Sequence, residues 1–214
     1  MIRFVAVVAL LAALPASADA QIRRRLEVGG GASVAGSLGL GKRDASLMSN
    51  DTAGSPYRLF SSDTRIDPAP GLEVRLGYRL SPRLTIEGTL GVAQPQLTSS
   101  LRNDVENADG VDSSSTLTEY VIDGGVLWRL STNKRRRWTP FVSGGAGVAR
   151  HVHEGQTLIE SALDTYAGGG LLYALGRRTG LRVDGRVHIL NGGIAVARGA
   201  SPRGVLSGSF FAAF

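Results

Sequence analysis

The 214-residue chain has no cysteine, which excludes a disulfide framework and any thiolate metal site. It also lacks an apolar run of the roughly 20 residues that a membrane-spanning helix requires. The stretch from Phe4 to Leu14 is the closest approach, and it is well short. Aromatic residues make up only 6% of the chain. No basic stripe with interleaved aromatics is present, so the net charge of +6 does not read as a nucleic-acid footprint. Acids are missing from one set of places in particular. Residues 21–25 and three tight connections carry Arg23, Arg24, Arg25, Arg83, Lys134, Arg135, Arg136, Arg137, Arg177 and Arg178 without a carboxylate among them.

What is present is alternation. Leu181 to Leu190 reads Leu-Arg-Val-Asp-Gly-Arg-Val-His-Ile-Leu, a period of two and therefore a strand pattern. Successive side chains of a strand point to opposite faces. Leu181, Val183, Gly185, Val187 and Ile189 thus share one side, and Arg182, Asp184, Arg186 and His188 the other. Seven further segments read as strands: Leu26 to Val34, Leu72 to Leu80, Leu84 to Val92, Thr118 to Leu130, Pro140 to Val148, Ala167 to Leu175 and Leu206 to Phe214. Their apolar sets, such as Leu72, Val74, Leu76, Tyr78 and Leu80, carry no charge. The partition suits a barrel facing lipid, where an Arg or Lys at the midplane costs about 2 to 4 kcal/mol.

The connections supply an independent test. Ser81 to Arg83, Ser131 to Arg137 and Gly176 to Gly180 are short, and they alternate with longer polar stretches at Ser37 to Ala69, Gln94 to Ser115, Arg150 to Ala162 and Asn191 to Arg203. Outer-membrane barrels of even strand number have short periplasmic turns and longer external loops. Met1 to Ala20 reads as a secretory signal peptide, with Arg3, an apolar core and Ala18-Asp19-Ala20. Cleavage is expected between Ala20 and Gln21, leaving residues 21–214 as one outer-membrane barrel domain.

The expected fold is an all-β, eight-stranded antiparallel up-and-down transmembrane barrel. On the final strand, Leu206 to Phe214, and on Pro140-Phe-Val-Ser-Gly-Gly-Ala-Gly-Val148, the chain resembles the small eight-stranded outer-membrane barrels of the OmpA-transmembrane-domain and OmpX type. That resemblance implies that the C-terminal strand is read by the barrel-assembly machinery, with Phe210, Ala212 and Phe214 as the signal. It also implies kinship with the short members that lack a peptidoglycan-binding domain.

Eight strands enclose an interior just wide enough for side chains. Glu73, Arg75, Glu87, Glu119, Asp123, Arg182, Asp184 and Arg186 are therefore expected to form an ion-paired network plugging the lumen, since buried charges persist only when paired. A conducting channel is the less favoured alternative. A lipopolysaccharide acyl-chain enzyme is another, because His188 faces inward and would lie across from Ser207 if the last hairpin is centred near Ala197. His151 and His153 share a strand face and form a possible metal pair with no third ligand assigned. The segment Gly36 to Lys42 approaches a phosphate loop, but Arg43 stands where Ser or Thr is needed and no helix follows. No cofactor and no enzymatic activity are expected.

The expected role is structural or surface-interactive, for adhesion, protection or envelope integrity. The expected partners are outer-membrane lipid and lipopolysaccharide, the assembly machinery, and an external protein or glycan bound through residues 37–69. Nucleic acid is not among them, and the barrel is expected to be a monomer. The basic end is expected either to contact anionic head groups or cell wall, or simply to keep the rim solvated.

Overall fold

The computed structural model describes residues 25–48, 56–103, 109–132, 137–153, 159–192 and 200–214. Residues 1–20, with the expected cleavage point at Ala20 and Gln21, lie outside them. Eleven strands are present among the described residues: β1 (Leu26–Ala35), β2 (Leu38–Met48), β3 (Pro56–Ile66), β4 (Ala69–Arg79), β5 (Leu84–Ala93), β6 (Gln96–Arg102), β7 (Val111–Arg129), β8 (Trp138–His153), β9 (Ile159–Ala174), β10 (Thr179–Gly192) and β11 (Ala200–Ala213). Each of the eight segments read from the sequence lies on one of β1, β4, β5, β7, β8, β9, β10 and β11.

Those eight strands close a ring. β1 pairs with β4, β4 with β5, β5 with β7, β7 with β8, and so on to β11, which returns to β1; every pairing is antiparallel. Closure leaves no free edge within the ring and satisfies the backbone internally, as hydrocarbon demands. The alternation is followed residue by residue. On β10 the even positions Arg182 to Leu190 are buried and the odd positions exposed. Leu72, Leu76, Ile122, Val183 and Leu206 stand on the outer wall, each more than half exposed.

The long connections differ from expectation. Residues 37–69 and 94–115 are read as loops in the sequence, but most of their described residues are strands. β2, β3 and β6 pair with one another and with the first third of β7 to form a second sheet. It continues the wall of the ring outward, because β1 runs into β2, β3 into β4 and β5 into β6 across short breaks at Gly36-Ser37, Asp67-Pro68 and Gln94-Pro95. Proline has no N–H for a ladder bond and interrupts a sheet where it stands. At this bend residues 67–70 stand opposite the three residues 94–96, a one-residue excess of the kind that bends a strand. Eleven strands are thus eight passes of the chain. The other passes also outrun their sequence limits, with β8 reaching His153, β9 starting at Ile159 and β11 at Ala200.

Candidate functional site

The interior is layered. At the short-turn end Glu27 pairs with Arg79 and takes two bonds from Arg129 Nη2 at 2.8 and 3.0 Å, while Arg129 Nη1 donates to Thr85. Beside this layer Leu127, Phe141 and Leu172 form a small apolar cluster, with Phe211 packed on it. The Arg182 guanidinium lies 4.6 Å above the Phe141 ring, a cation–π contact.

In the middle, Asp184 is met by Arg75 at 3.0 Å, Arg182 at 3.2 Å and Arg186 at 3.2 Å, and accepts a hydrogen bond from Ser207 at 2.7 Å. Arg182 also holds Glu87 with two bonds, 2.7 and 3.1 Å. Arg186 reaches Glu73 at 2.5 Å, and Arg75 pairs with Glu73 as well. The two-bond fork between Arg182 and Glu87 is the strong form of the carboxylate–guanidinium bond. Glycine makes room for them. A Cβ on inward-facing Gly170 would run into Asp184, and one on Gly168 into the Arg186 side chain.

Further out, Arg203 Nη1 donates to Glu119 at 2.6 and 2.8 Å, and His151 Nε2 lies 2.9 Å from the same carboxylate. Arg203 Nε also holds the carbonyl of Gly36 at 2.8 Å, tying the ring to the break before β2. Beyond these groups the lumen is capped by an apolar cluster. Leu38, Leu40, Ile66 and Leu117, all at the base of the projecting sheet, pack with Ala149, Ala162 and Leu190 of the far wall.

The eight expected lumen residues are all buried, but they do not form one set. Glu73, Arg75, Glu87, Arg182, Asp184 and Arg186 come together; Glu119 belongs to the outer layer with Arg203 and His151. Asp123 has no arginine within ion-pair distance and stands beside Asp164 and His188. Sequence reading missed Asp164 and Arg203. The signal was available, since the alternation of β9 runs back from Ala167 through Tyr166 and Asp164.

The expected pairing of His188 with Ser207 is wrong. The register sets His188 opposite Arg203 and Ser207 opposite Asp184, four residues along the strand, or about 13 Å. His188 Nδ1 instead lies 2.7 Å from Asp164 Oδ2, and its ring stacks on Tyr166. His151 and His153 gain no third ligand among the described residues. The group there with metal-ligand spacing is Asp123, Asp164 and His188.

On the outside, Phe210 and Phe214 are exposed on the lipid face and Ala212 shares their parity, whereas Phe211 and Ala213 turn inward. Tyr78, Trp128 and Trp138 stand on the outer wall at the short-turn end, and Trp138 packs on Tyr173 with ring centroids 4.5 Å apart. These side chains suit a membrane interface. The barrel mouth there holds a cavity of about 190 Å³ lined by Arg79, Arg129, Arg137, Arg177 and Arg178. Lys134, Arg135 and Arg136, and Arg23 and Arg24, lie outside the described residues.

A family model described as "Outer membrane protein beta-barrel domain" matches residues 4–200. The chain belongs to that family. The fold is shared with solved structures of outer-membrane barrels. Neisserial surface protein A is 12% identical, with a TM-score of 0.58 over 88% of this chain and 97% of the other. The outer membrane protein OprG of Pseudomonas aeruginosa is 11% identical, with a TM-score of 0.52 over 92% and 99%. No curated protein matches the chain in sequence. As an outer-membrane β-barrel domain, the molecule sits in the bacterial outer membrane with its apolar wall in lipid. In barrels of this class the short turns face the periplasm.

Proposed function

We propose that this outer-membrane barrel is a non-conducting envelope protein that carries a rigid recognition surface on the outside of the cell. The observation that supports the reading is the continuity of the wall. Four passes of chain run on past the ring as the β2–β3–β6–β7 sheet, whose underside packs over the mouth. A binding surface on a rigid support loses little freedom when a partner docks, which favours recognition. The partner is an external protein or glycan, and residues 37–69 carry the contact, with exposed Leu47 and Phe60 as its apolar part. Replacing residues 42–63 with a two-residue Asn-Gly turn keeps Leu38, Leu40 and Ile66. The shortened protein is expected to fold, shown by heat-modifiable migration, and to lose adhesion or serum-survival phenotypes. Retention of every surface phenotype would reject the reading.

The ionic layers and the apolar cap support a plugged lumen, and planar-bilayer recording is expected to show no stepwise conductance. The chain is not an enzyme on this reading, and lipid A mass spectra are expected to be the same with and without it. We further propose cleavage of residues 1–20, so that the mature N-terminus begins at Gln21. Recognition of Phe210, Ala212 and Phe214 by the assembly machinery, and a monomeric state, complete the reading. The basic periplasmic rim faces anionic head groups, worth about 1 kcal/mol per residue near such a surface. Serine at positions 134–137 is expected to weaken association with anionic vesicles.

A further inference from the structure

Among the buried carboxylates of the lumen, Glu73, Glu87, Glu119 and Asp184 each meet at least one arginine within ion-pair distance. Asp123 and Asp164 meet none among the described residues. Asp123 is 4% exposed, and neither of its carboxylate oxygens accepts a hydrogen bond; Asp164 Oδ1 and His188 Nε2 are buried without one too. Two carboxylates side by side in a closed lumen, with His188 2.7 Å from Asp164 as their nearest hydrogen-bonding neighbour, are costly unless a proton or a cation joins them.

The backbone brings these groups together deliberately. Asp123 on β7, Gly147 on β8 and Asp164 on β9 lie in one row across the sheet. Gly147 has no side chain to separate the acids, and a Cβ there would collide with Asp123 Oδ1. One strand further, His188 leans over Asp164. One ligand atom from each of Asp123, Asp164 and His188 lies within 4.8 Å of the others. All three residues line a cavity of about 60 Å³, room for an ion and a few waters when one water needs roughly 10 to 15 Å³.

We propose that Asp123, Asp164 and His188 bind a divalent transition-metal cation inside the barrel, with Zn²⁺ as the type ion. One imidazole nitrogen and two carboxylate oxygens suit a borderline ion better than Mg²⁺ or Ca²⁺, which take oxygen alone. Side-chain shifts of about an ångström bring the three atoms to the roughly 2 Å bonds of zinc, with water completing the shell. The two acids balance the ion's two positive charges, the other charged residues of the cavity being paired as Arg186–Glu73 and Arg203–Glu119, and the ion cross-links β7, β9 and β10. The apolar cap above and the arginine layer below seclude it, which makes the ion a structural brace rather than a reaction centre.

The test uses the untagged full-length barrel folded in detergent, stripped with chelator and titrated with Co²⁺ and Zn²⁺. One equivalent of Co²⁺ is expected, with visible ligand-field bands that Zn²⁺ abolishes. D123N and H188Q are expected to weaken binding at least about 100-fold, beyond the tenfold to hundredfold typical of changes to groups that only orient a ligand. G147A is expected to weaken it too, while H153Q, outside the cavity, leaves it unchanged. Each variant is first shown to be folded by its heat-modifiable shift. Absence of stoichiometric binding to the wild type overturns the proposal, since the two acids then share a proton instead. Unchanged affinity in D123N and H188Q, or loss in H153Q, overturns it as well. Failure here leaves the surface-recognition reading untouched, because no external phenotype is measured.

Discussion

The ring and the sheet that projects from it are made from the same passes of chain, yet opposite rules hold them together. In the ring the outer wall is apolar and the charges face inward; Ile122 is 61% exposed on the outside while Asp184 is 1% exposed within. In the projecting sheet polar residues stand on both faces beyond its base, with Leu47, Phe60, Leu101 and Val111 exposed among them. Its contacts are exposed pairs such as Lys42–Asp63 at 3.3 Å and Arg102–Asp112 at 2.9 Å, each worth no more than about 1 kcal/mol. The difference lies in the solvent. Hydrocarbon rejects charge and forces it into the lumen, where pairing is obligatory, whereas water accepts it on either face. The ring should therefore respond to single substitutions sharply and the sheet gently, except along the apolar seam where the two join.

The largest effect is expected at the centre of the ring. Asp184→Ala leaves Arg75, Arg182 and Arg186 facing one another, and loss of one partner of a buried pair costs about 3 to 5 kcal/mol. Urea unfolding in lipid or detergent measures it, and a loss below 1 kcal/mol would show that the charges are hydrated. Next comes the seam. Leu117, which is fully buried, is expected to cost about 2 to 5 kcal/mol on Leu117→Ala. Amide exchange should then rise first in β2, β3 and β6. On the lipid face Val183→Arg is expected to cost about 2 to 4 kcal/mol, and an unchanged unfolding midpoint would mean that Val183 does not face hydrocarbon. On the edge strand β2, Leu47→Ser, at a side chain 51% exposed, should change stability by less than about 0.5 kcal/mol, so any loss of a surface phenotype in that variant reflects lost contact.

The smallest expected effect is a response to acid. A 2.6 Å hydrogen bond from Thr98, with Arg65 alongside, holds the Asp67 carboxyl below its ordinary value of 3.8. Because the folded value is the lower one, the stabilisation is complete above that ordinary value and fades as pH falls through the folded one. Ser100 and Arg102 lower Asp112 in the same direction. Below about pH 4 the β3–β6–β7 ladder should exchange faster while the ring does not. Equal acceleration of both would mean that the sheet and the ring open as one unit.

Much of this contrast was visible in the residues. Period-two alternation marked all eight ring strands because a wall between lipid and ionic lumen separates its two faces by polarity. The same test was blind to β2, β3 and β6. Ser61-Ser62-Asp63-Thr64 and Thr98-Ser99-Ser100 are polar on both faces, and a strand in water on each side leaves no alternation to read. The lumen charges were legible as a class, whereas their partners were not. His188 belongs with Asp164 rather than Ser207 because a displacement of two residues in the centre of a hairpin moves every cross-strand partner by four.

By itself the order of residues determined the architecture: lipid-facing strands, a charged interior and basic short connections. Each of these follows from local pattern, and pattern survives without knowledge of register. Only the tertiary structure decided which acid meets which arginine, that Gly147 lets Asp123 approach Asp164, and that the sheet base closes the mouth with Leu38, Leu40, Ile66 and Leu117. Those outcomes depend on how eight passes line up around a closed cylinder, a relation between residues far apart in sequence that no single segment encodes.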